Sequence, residues 1–217
     1  MKNPLTNFLR PIQAGFIALA LPAAAQIPDT LLHEVPPPDI GLQGGAQLGY
    51  SVAMDGEYVV AGAPYDDATG TDCGVAKVFG ATTGELLFTL SCTPGGGNFG
   101  WSVAISGTRV VVGAYRQDVS SGGKVFVFDL AGANPTVPIL TLTNPSPGGD
   151  DQFGYSVAIS GTRVVVGAKQ DDTGASDAGR AYVYNVAGAT PTVPISTLNN
   201  PSPTTQDYFG RFAMLGG

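Results

Sequence analysis

The sequence predicts an all-β protein built from repeated four-stranded antiparallel units. One phrase recurs along the chain, in which Leu or Phe is followed by glycine, an aromatic residue and Ser-Val-Ala, at residues 48–53, 99–104 and 153–158. A shorter copy begins at Phe209-Gly210, and the phrase glycines are separated by 51, 54 and 56 residues. A period of this length is typical of repeat architectures, in which each unit buries its apolar faces against its neighbours.

The third repeat shows the strand pattern most clearly. Tyr155, Val157 and Ile159 alternate with small polar residues, as in a strand, and Gly161-Thr162 is suited to a two-residue hairpin turn. The apolar run 164–168 predicts a strand covered on both faces. Two further strands are predicted at 180–184 and 193–198, and the earlier repeats predict the same four, at 50–54, 58–63, 75–79 and 86–90 and at 101–105, 110–114, 124–128 and 139–142.

Four strands in about 55 residues without a helical pattern favour the blades of a β-propeller over a β-helix or a leucine-rich repeat. A Greek-key sandwich is the alternative, although it would not require the phrase to recur in register. The predicted blades are 48–98, 99–152 and 153–208, and 209–217 begins a fourth. Because closed propellers have roughly four to eight blades, we expect an incomplete propeller, with marginal stability, self-association through its open blade edges or an open arc as the alternatives.

Both ends of the sequence suggest how such a ring would be completed. We interpret residues 26–47 as a linker. Within it, residues 29–36 resemble the segment that, in the later repeats, connects the fourth strand to the next phrase. We therefore expect residues 29–36 to form an outer strand that would complete the last blade of a closed ring. The last repeat diverges after Gly210, where Arg211-Phe212 replaces the aromatic residue and serine of the other copies. That divergence is typical of a truncated or frame-shifted reading frame, or of a gene fragment.

The first 25 residues predict a signal peptide. Lys2 and Arg10 supply basic charge, a short apolar run follows, and Ala23-Ala24-Ala25 is a small-residue cleavage site. No later stretch is long and apolar enough to span a membrane. We therefore expect a secreted protein, extracellular or periplasmic. Cleavage leaves 8 basic and 17 acidic residues, a net charge of −9, which argues against binding nucleic acid.

The recurring phrase, with a Gly-Ala pair after each second predicted strand, resembles the FG-GAP repeats of the integrin α-subunit propeller and its bacterial relatives. Gly62-Ala63-Pro64 matches the second half of that name fully, whereas Gly113-Ala114 and Gly167-Ala168 are followed by Tyr115 and Lys169. The resemblance covers residues 48–217 and implies a β-propeller. The Phe-Gly and Gly-Ala positions are interpreted as packing residues between blades.

Calcium binding is the chemistry that the resemblance raises first. Integrin-type blades hold Ca²⁺ in an acidic loop between strands one and two, but here that loop is a bare turn, so the family's calcium site is not carried over. Acidic pairs occur instead between strands two and three, at Asp66-Asp67 and Asp171-Asp172. They are weak candidates for a cation site, and the competing interpretation is that Asp, Gly and Ser simply form turns there.

Catalysis is not predicted. The single histidine, His33, lies outside the repeats, and neither a nucleophile elbow nor a His-based metal spacing occurs. Paired carboxylates could serve a glycosidase, but these recur in turn contexts. We therefore expect no enzyme and no cofactor, apart from the candidate Ca²⁺.

The two cysteines predict a disulfide. Cys73 and Cys92 flank the hairpin of strands three and four in the first repeat. If the hairpin turn is centred on Thr82-Thr83, the residue numbers of any two residues paired across it add up to 165. The numbers of Cys73 and Cys92 also add up to 165, so these two residues would face each other. In an exported protein this favours a bridge worth about 3 kcal/mol, with two buried thiols as the alternative.

The functional prediction is an exported, non-catalytic module that binds protein or glycan in adhesion. It rests on the resemblance and on the lack of catalytic groups, since a fold alone does not define a function. Two alternatives stay open at this stage: the accessory propeller of a larger secreted enzyme, and a truncated gene fragment without independent function.

Overall fold

A computed structural model describes residues 44–68, 70–92, 97–118 and 122–214. Contacts divide the chain into residues 1–32 and 33–217, and everything described below belongs to the second unit. The predicted signal peptide and most of the predicted 26–47 segment lie outside the described residues. Within them there are three four-stranded antiparallel sheets and no helix, so nothing helical in that part of the chain could cross a membrane.

Each sheet is a simple meander contained within one sequence repeat. The twelve strands are β1 (Ser51–Asp55), β2 (Tyr58–Ala63), β3 (Val75–Gly80) and β4 (Leu86–Leu90) in the first sheet, β5 (Ser102–Ser106), β6 (Arg109–Ala114), β7 (Lys124–Asp129) and β8 (Leu140–Thr143) in the second, and β9 (Phe153–Ser160), β10 (Arg163–Ala168), β11 (Arg180–Asn185) and β12 (Ser196–Asn199) in the third. The fold class is thus confirmed as all-β, with blade-like sheets that do not close into a ring.

The sheets stand side by side with their first strands adjacent, because β5 contacts both β1 and β9. Two apolar clusters fill the spaces between them. The first joins Val60, Val78 and Leu90 of the first sheet to Val103, Ile105 and Phe128 of the second, and the second joins the second sheet to the third in the same way. Phe99 and Phe153, the first residues of their phrases, are fully buried in these clusters, which confirms their packing role.

The central strand of each sheet accounts for the apolar runs in the sequence. Val110, Val111 and Val112 of β6 are fully buried, because the second sheet is covered on both faces. In β10 the equivalent Val165 is only half-buried, since the short segment 207–214 is all that the described part of the chain supplies on the outer face of the third sheet. On the opposite side Val52 and Met54 of β1 are 61% and 70% exposed. Open faces therefore bound the three-sheet unit.

Candidate functional site

Every phrase begins with a tight turn that only glycine completes. The amide of the third phrase residue donates to the carbonyl three positions earlier, as from Trp101 to Asn98 and from Tyr155 to Gln152, at 3.0 Å in both. The phrase glycine lies between them with φ near +87°, at Gly100 and Gly154. A type II turn requires this conformation at its third residue. The turn projects the aromatic residue that follows it from the same end of every sheet.

A repeated latch then ties each phrase to the preceding sheet. The hydroxyls of Ser51, Ser102 and Ser156 donate to the carbonyl oxygens of the next phrase glycines, Gly100, Gly154 and Gly210, at 2.8, 2.9 and 2.7 Å. Beside each contact lies the glycine of Gly-Ala, where a Cβ atom would overlap the same carbonyl oxygen. Both halves of the repeated motif therefore meet at one point, and the fourth phrase docks at Gly210 as its predecessors do.

Aromatic side chains gather into one surface from the third phrase position, from the position directly after Gly-Ala (Tyr115) and, in the first repeat, from the residue after Pro64 (Tyr65). We call this surface the aromatic face, and it consists of Tyr50, Tyr65, Trp101, Tyr115 and Tyr155. Trp101 is its centre, with ring centroids 4.5 Å from Tyr50, 4.6 Å from Tyr115 and 5.4 Å from Tyr155. Tyr50 is 45% exposed, and Trp101 and Tyr155 are half-buried, so these rings remain open to a ligand.

Two cations adjoin the aromatic face at the third sheet. Lys169 follows β10, at the position of Tyr115 in the second repeat, and its Nζ lies 4.3 Å from the ring centroid of Tyr155. Arg211 takes the aromatic position of the fourth phrase. Burial lowers the pKa of Lys169, and the positive charge of Arg211 lowers it further. The two cations therefore repel each other beside the rings.

A cavity of about 560 Å³ opens over these rings. It is lined by Tyr50, Trp101 and Tyr155, by the serine after each of them, by the valines of the second and third phrases, and by Arg211 with Phe212, Ala213 and Met214. None of the described lining residues carries a carboxylate. Its volume is typical of small-molecule sites, which are mostly apolar with a few polar groups. The arrangement is suited to binding and contains no nucleophile paired with a base.

The predicted cation-binding aspartates lie elsewhere, in the loops after β2 and β10. Asp66 and Asp171 accept the amides two residues on, both at 2.9 Å, as in an Asx turn. Asp67 and Asp172 each accept the amide five residues on, at 2.7 and 2.8 Å. The structure thus brings the members of each pair into the same loop, where they organise the backbone.

The two loops differ in what contacts the buried aspartate. Tyr182 donates its hydroxyl to Asp171 at 3.1 Å, whereas Lys77 takes the place of that tyrosine in the first repeat. Lys77 donates to Thr89, and Asp66 Oδ2 has no hydrogen-bond partner among the described residues. No group of three or more potential metal ligands occurs in the described part of the chain. Calcium binding at these pairs stays a prediction.

Comparison with known families decides the chain's relationship. The model of the FG-GAP repeat matches three times, at residues 42–79, 94–128 and 141–184, which together make up more than half of the sequence. The chain belongs to the FG-GAP repeat family. Propeller domains built from FG-GAP repeats are generally non-catalytic.

Other comparisons add little to this FG-GAP assignment. None of the curated proteins compared with the chain matches it. Among solved structures, the crystal structure of the computationally designed Ika4 protein is similar over 76% of this chain and 81% of that chain, at 20% sequence identity and a TM-score of 0.46.

The cysteine pair of the first FG-GAP repeat lies beside β3 and β4, and both residues are buried. The register argument for their bridge was wrong by one residue. A β-bulge between Val78 and Phe79 makes pairs sum to 165 near the turn but to 166 near the cysteines. Cys92 Sγ donates to Gln117 at 3.3 Å, and burial, with a smaller effect of Cys73, raises the pKa of Cys92 to about 11. The disulfide stays a prediction.

Sequence reasoning missed the aromatic face. Its signal was present in the third phrase position, which is Tyr50, Trp101 and Tyr155 in the three full FG-GAP repeats. In the sequence, the residues after Gly-Ala, Tyr115 and Lys169, stand out only as departures from the motif. That these two positions meet at one end of the sheets depends on how neighbouring sheets stack, and no single repeat shows this.

Proposed function

We propose that this FG-GAP chain is a non-catalytic binding module whose ligand surface is the aromatic face. The observation that carries the proposal is the open cluster around Trp101, which lies at the mouth of a cavity instead of inside a core. Exposed tyrosine and tryptophan rings supply large, rigid contact areas and are enriched where proteins bind ligands. Protein and glycan ligands both suit such a surface, and adhesion is the role in which a rigid repeat scaffold would present it.

The test measures binding by the folded chain to an array of immobilised glycans and extracellular matrix proteins. Trp101→Ala and Tyr155→Ala together should abolish specific binding, because they remove the central rings. Val137→Ser is the matched control, since Val137 is 57% exposed and does not belong to the face. Binding that survives the double change, or no binding to any array member, would overturn the proposal.

Export is part of the same proposal. The basic start, the short apolar run and Ala23-Ala24-Ala25 support cleavage before Gln26. Mass spectrometry of the protein recovered outside the cytoplasm should show a mature N-terminus at Gln26. An intact Met1 in all recovered protein would count against export by this signal.

Self-association through the outer face of the third sheet is also proposed. Val165, Ala181 and Leu198 lie on that face, and Leu198 is 41% exposed. Their counterparts on the second sheet, Val111, Val125 and Leu142, are fully buried against the third sheet. Covering this similar apolar face, in which Ala181 replaces Val125, with a second copy would be stabilising.

A further inference from the structure

The charges around the cavity over the aromatic face are unusual for an acidic protein. The whole chain has a net charge of −7, yet the described lining of this cavity contains Arg211 and no carboxylate, and Lys169 adjoins it. No ion pair joins either cation to a carboxylate among the described residues. Two neighbouring cations without such pairing favour an anionic partner.

Two carboxylates also act on Lys169. Asp150 and Asp177 act in the favourable sense, and neither alone acts as strongly as Arg211 does in the opposite sense. Asp177 accepts a hydrogen bond from Gln170 at 3.0 Å, and Asp150 accepts one from Gln152 at 3.4 Å. Both therefore face side chains of their own loops. An anion placed between Arg211 and Lys169 would relieve their repulsion.

The rings define the rest of the ligand. The ring of Trp101 is tilted by 41° to that of Tyr50 and by 51° to that of Tyr155, so the three form a shallow cup and not a slot for one flat ring. Aromatic faces carry partial negative charge and attract C–H groups with partial positive charge. A pyranose ring presents such C–H groups on one face and hydroxyls around its edge.

We propose that the cavity over the aromatic face binds glycans that carry carboxylate groups, with sugar rings stacked on Tyr50, Trp101 and Tyr155 and a carboxylate held by Arg211 and Lys169. The inference rests on the proposed binding function and adds its ligand class. A guanidinium donates two parallel hydrogen bonds to a carboxylate, which makes Arg211 the main determinant of selectivity. The neighbouring Lys169 acts as a point charge.

The test compares two oligosaccharides that differ only at C6, where a carboxylate replaces the hydroxymethyl group: cellotetraose and the β-1,4-linked tetramer of glucuronic acid. Trp101 is the chain's single tryptophan, so its fluorescence reports directly on the cup. We expect the acidic tetramer to bind about ten-fold more tightly than the neutral one. The preference should shrink as salt is raised, because part of it is electrostatic.

Variants separate the roles of charge and ring. Arg211→Gln should reduce the preference for the acidic tetramer to less than about three-fold, while Arg163→Gln, an exposed arginine at the opposite end of β10, should leave it unchanged. Trp101→Phe keeps an aromatic ring and should weaken both tetramers without changing their ratio. Since it removes the fluorophore, calorimetry measures this variant.

The results that would contradict the ligand class differ from those that would contradict the binding function itself. Equal affinity for the two tetramers, a preference that survives Arg211→Gln, or no binding of either at millimolar concentration would overturn the proposal. Tighter binding of tetraglutamate than of the acidic tetramer would assign the cavity to acidic peptides instead. If matrix proteins or neutral glycans bind in a Trp101-dependent manner while the acidic tetramer does not, the binding function stands and only the ligand class fails.

Discussion

At the residue scale, the phrase and the Gly-Ala pair are explained by one contact. The serine hydroxyl and the glycine without a Cβ atom converge on the carbonyl of the next phrase glycine. Packing was predictable for these positions from their recurrence, because phenylalanine and glycine have few other reasons to recur at a fixed period. The latch itself was not predictable, since it joins residues 49, 52 and 54 positions apart, in different repeats.

Gly113→Ala tests the latch. The added methyl group would overlap the Gly154 carbonyl, so the second and third sheets must separate, and we expect a loss of roughly 1–3 kcal/mol in the free energy of unfolding, measured in urea. Gly149→Ala is the control, because its Cβ would meet open space and its φ is not positive. Equal losses in the two variants would contradict the proposed close approach.

Cys92 gives a prediction about pH. Burial raises the pKa of its thiol to about 11, from 9.0 in the absence of burial, so the reduced folded protein retains the proton that the unfolded chain releases. Its contribution to stability is therefore complete below about pH 9 and is lost as the pH rises toward 11. Urea unfolding in reductant should show this loss, and Cys92→Ser should lack it.

The same titration separates a disulfide from two thiols. A Cys73–Cys92 bridge has no thiol to titrate, so the protein without reductant should keep its stability over that interval, apart from changes shared with Cys92→Ser. It should also be more stable than the reduced protein by about 3 kcal/mol. Identical curves with and without reductant would show that no bridge forms.

At the element scale, the twelve strands agree with the pattern of the sequence to within about three residues, because alternation and glycine turns act locally. The largest shift is in β12, which begins at Ser196 instead of Val193. Val193 donates its amide to Thr190 and so still belongs to the preceding turn. The bulge at Leu87 of β4, opposite Val78 and Phe79, was equally hidden, since no glycine marks it. Such details depend on cross-strand packing.

Val111 and Val165 occupy the same position in neighbouring sheets, so substituting each of them compares a covered sheet face with an open one. Val111→Ala should cost about 2 kcal/mol, because Val111 is fully buried between the second and third sheets. Val165→Ala should cost less than about 1 kcal/mol, because Val165 is half-buried on the open face. Urea unfolding at micromolar protein measures both. Equal costs would show that the outer face of the third sheet is covered in solution.

At the scale of the whole molecule, the described residues leave the outer faces of the first and third sheets largely uncovered. Burial between the sheets is the main source of stability, and the outer faces lack it. The number of phrases in the sequence was enough to predict that the sheets do not close into a ring. The aromatic face could not be predicted, because it combines side chains from all three sheets. The functional surface that we propose is therefore the aromatic face, which exists only when the three sheets are packed together and not in any single sheet.

Self-association is the prediction at this scale. Sedimentation velocity should show an average mass that rises with protein concentration. We expect this because association would bury the exposed apolar face around Leu198, which is stabilising. Leu198→Lys should shift the population toward the monomer, and Val137→Lys, an exposed apolar control in the loop before β8, should not. A strictly monomeric wild-type protein over the same range would contradict the proposal.

The latch has a consequence for how such a chain can grow. It constrains only a few residues at either side of each sheet boundary, and the intervals of 51, 54 and 56 residues show that the remainder tolerates additions of several residues. Any in-frame tandem duplication of one whole period, wherever its breakpoints fall, regenerates a serine, a Gly-Ala pair and a phrase glycine in the correct order. A gene of this kind can therefore gain or lose blades by slippage between copies without any new interface having to evolve.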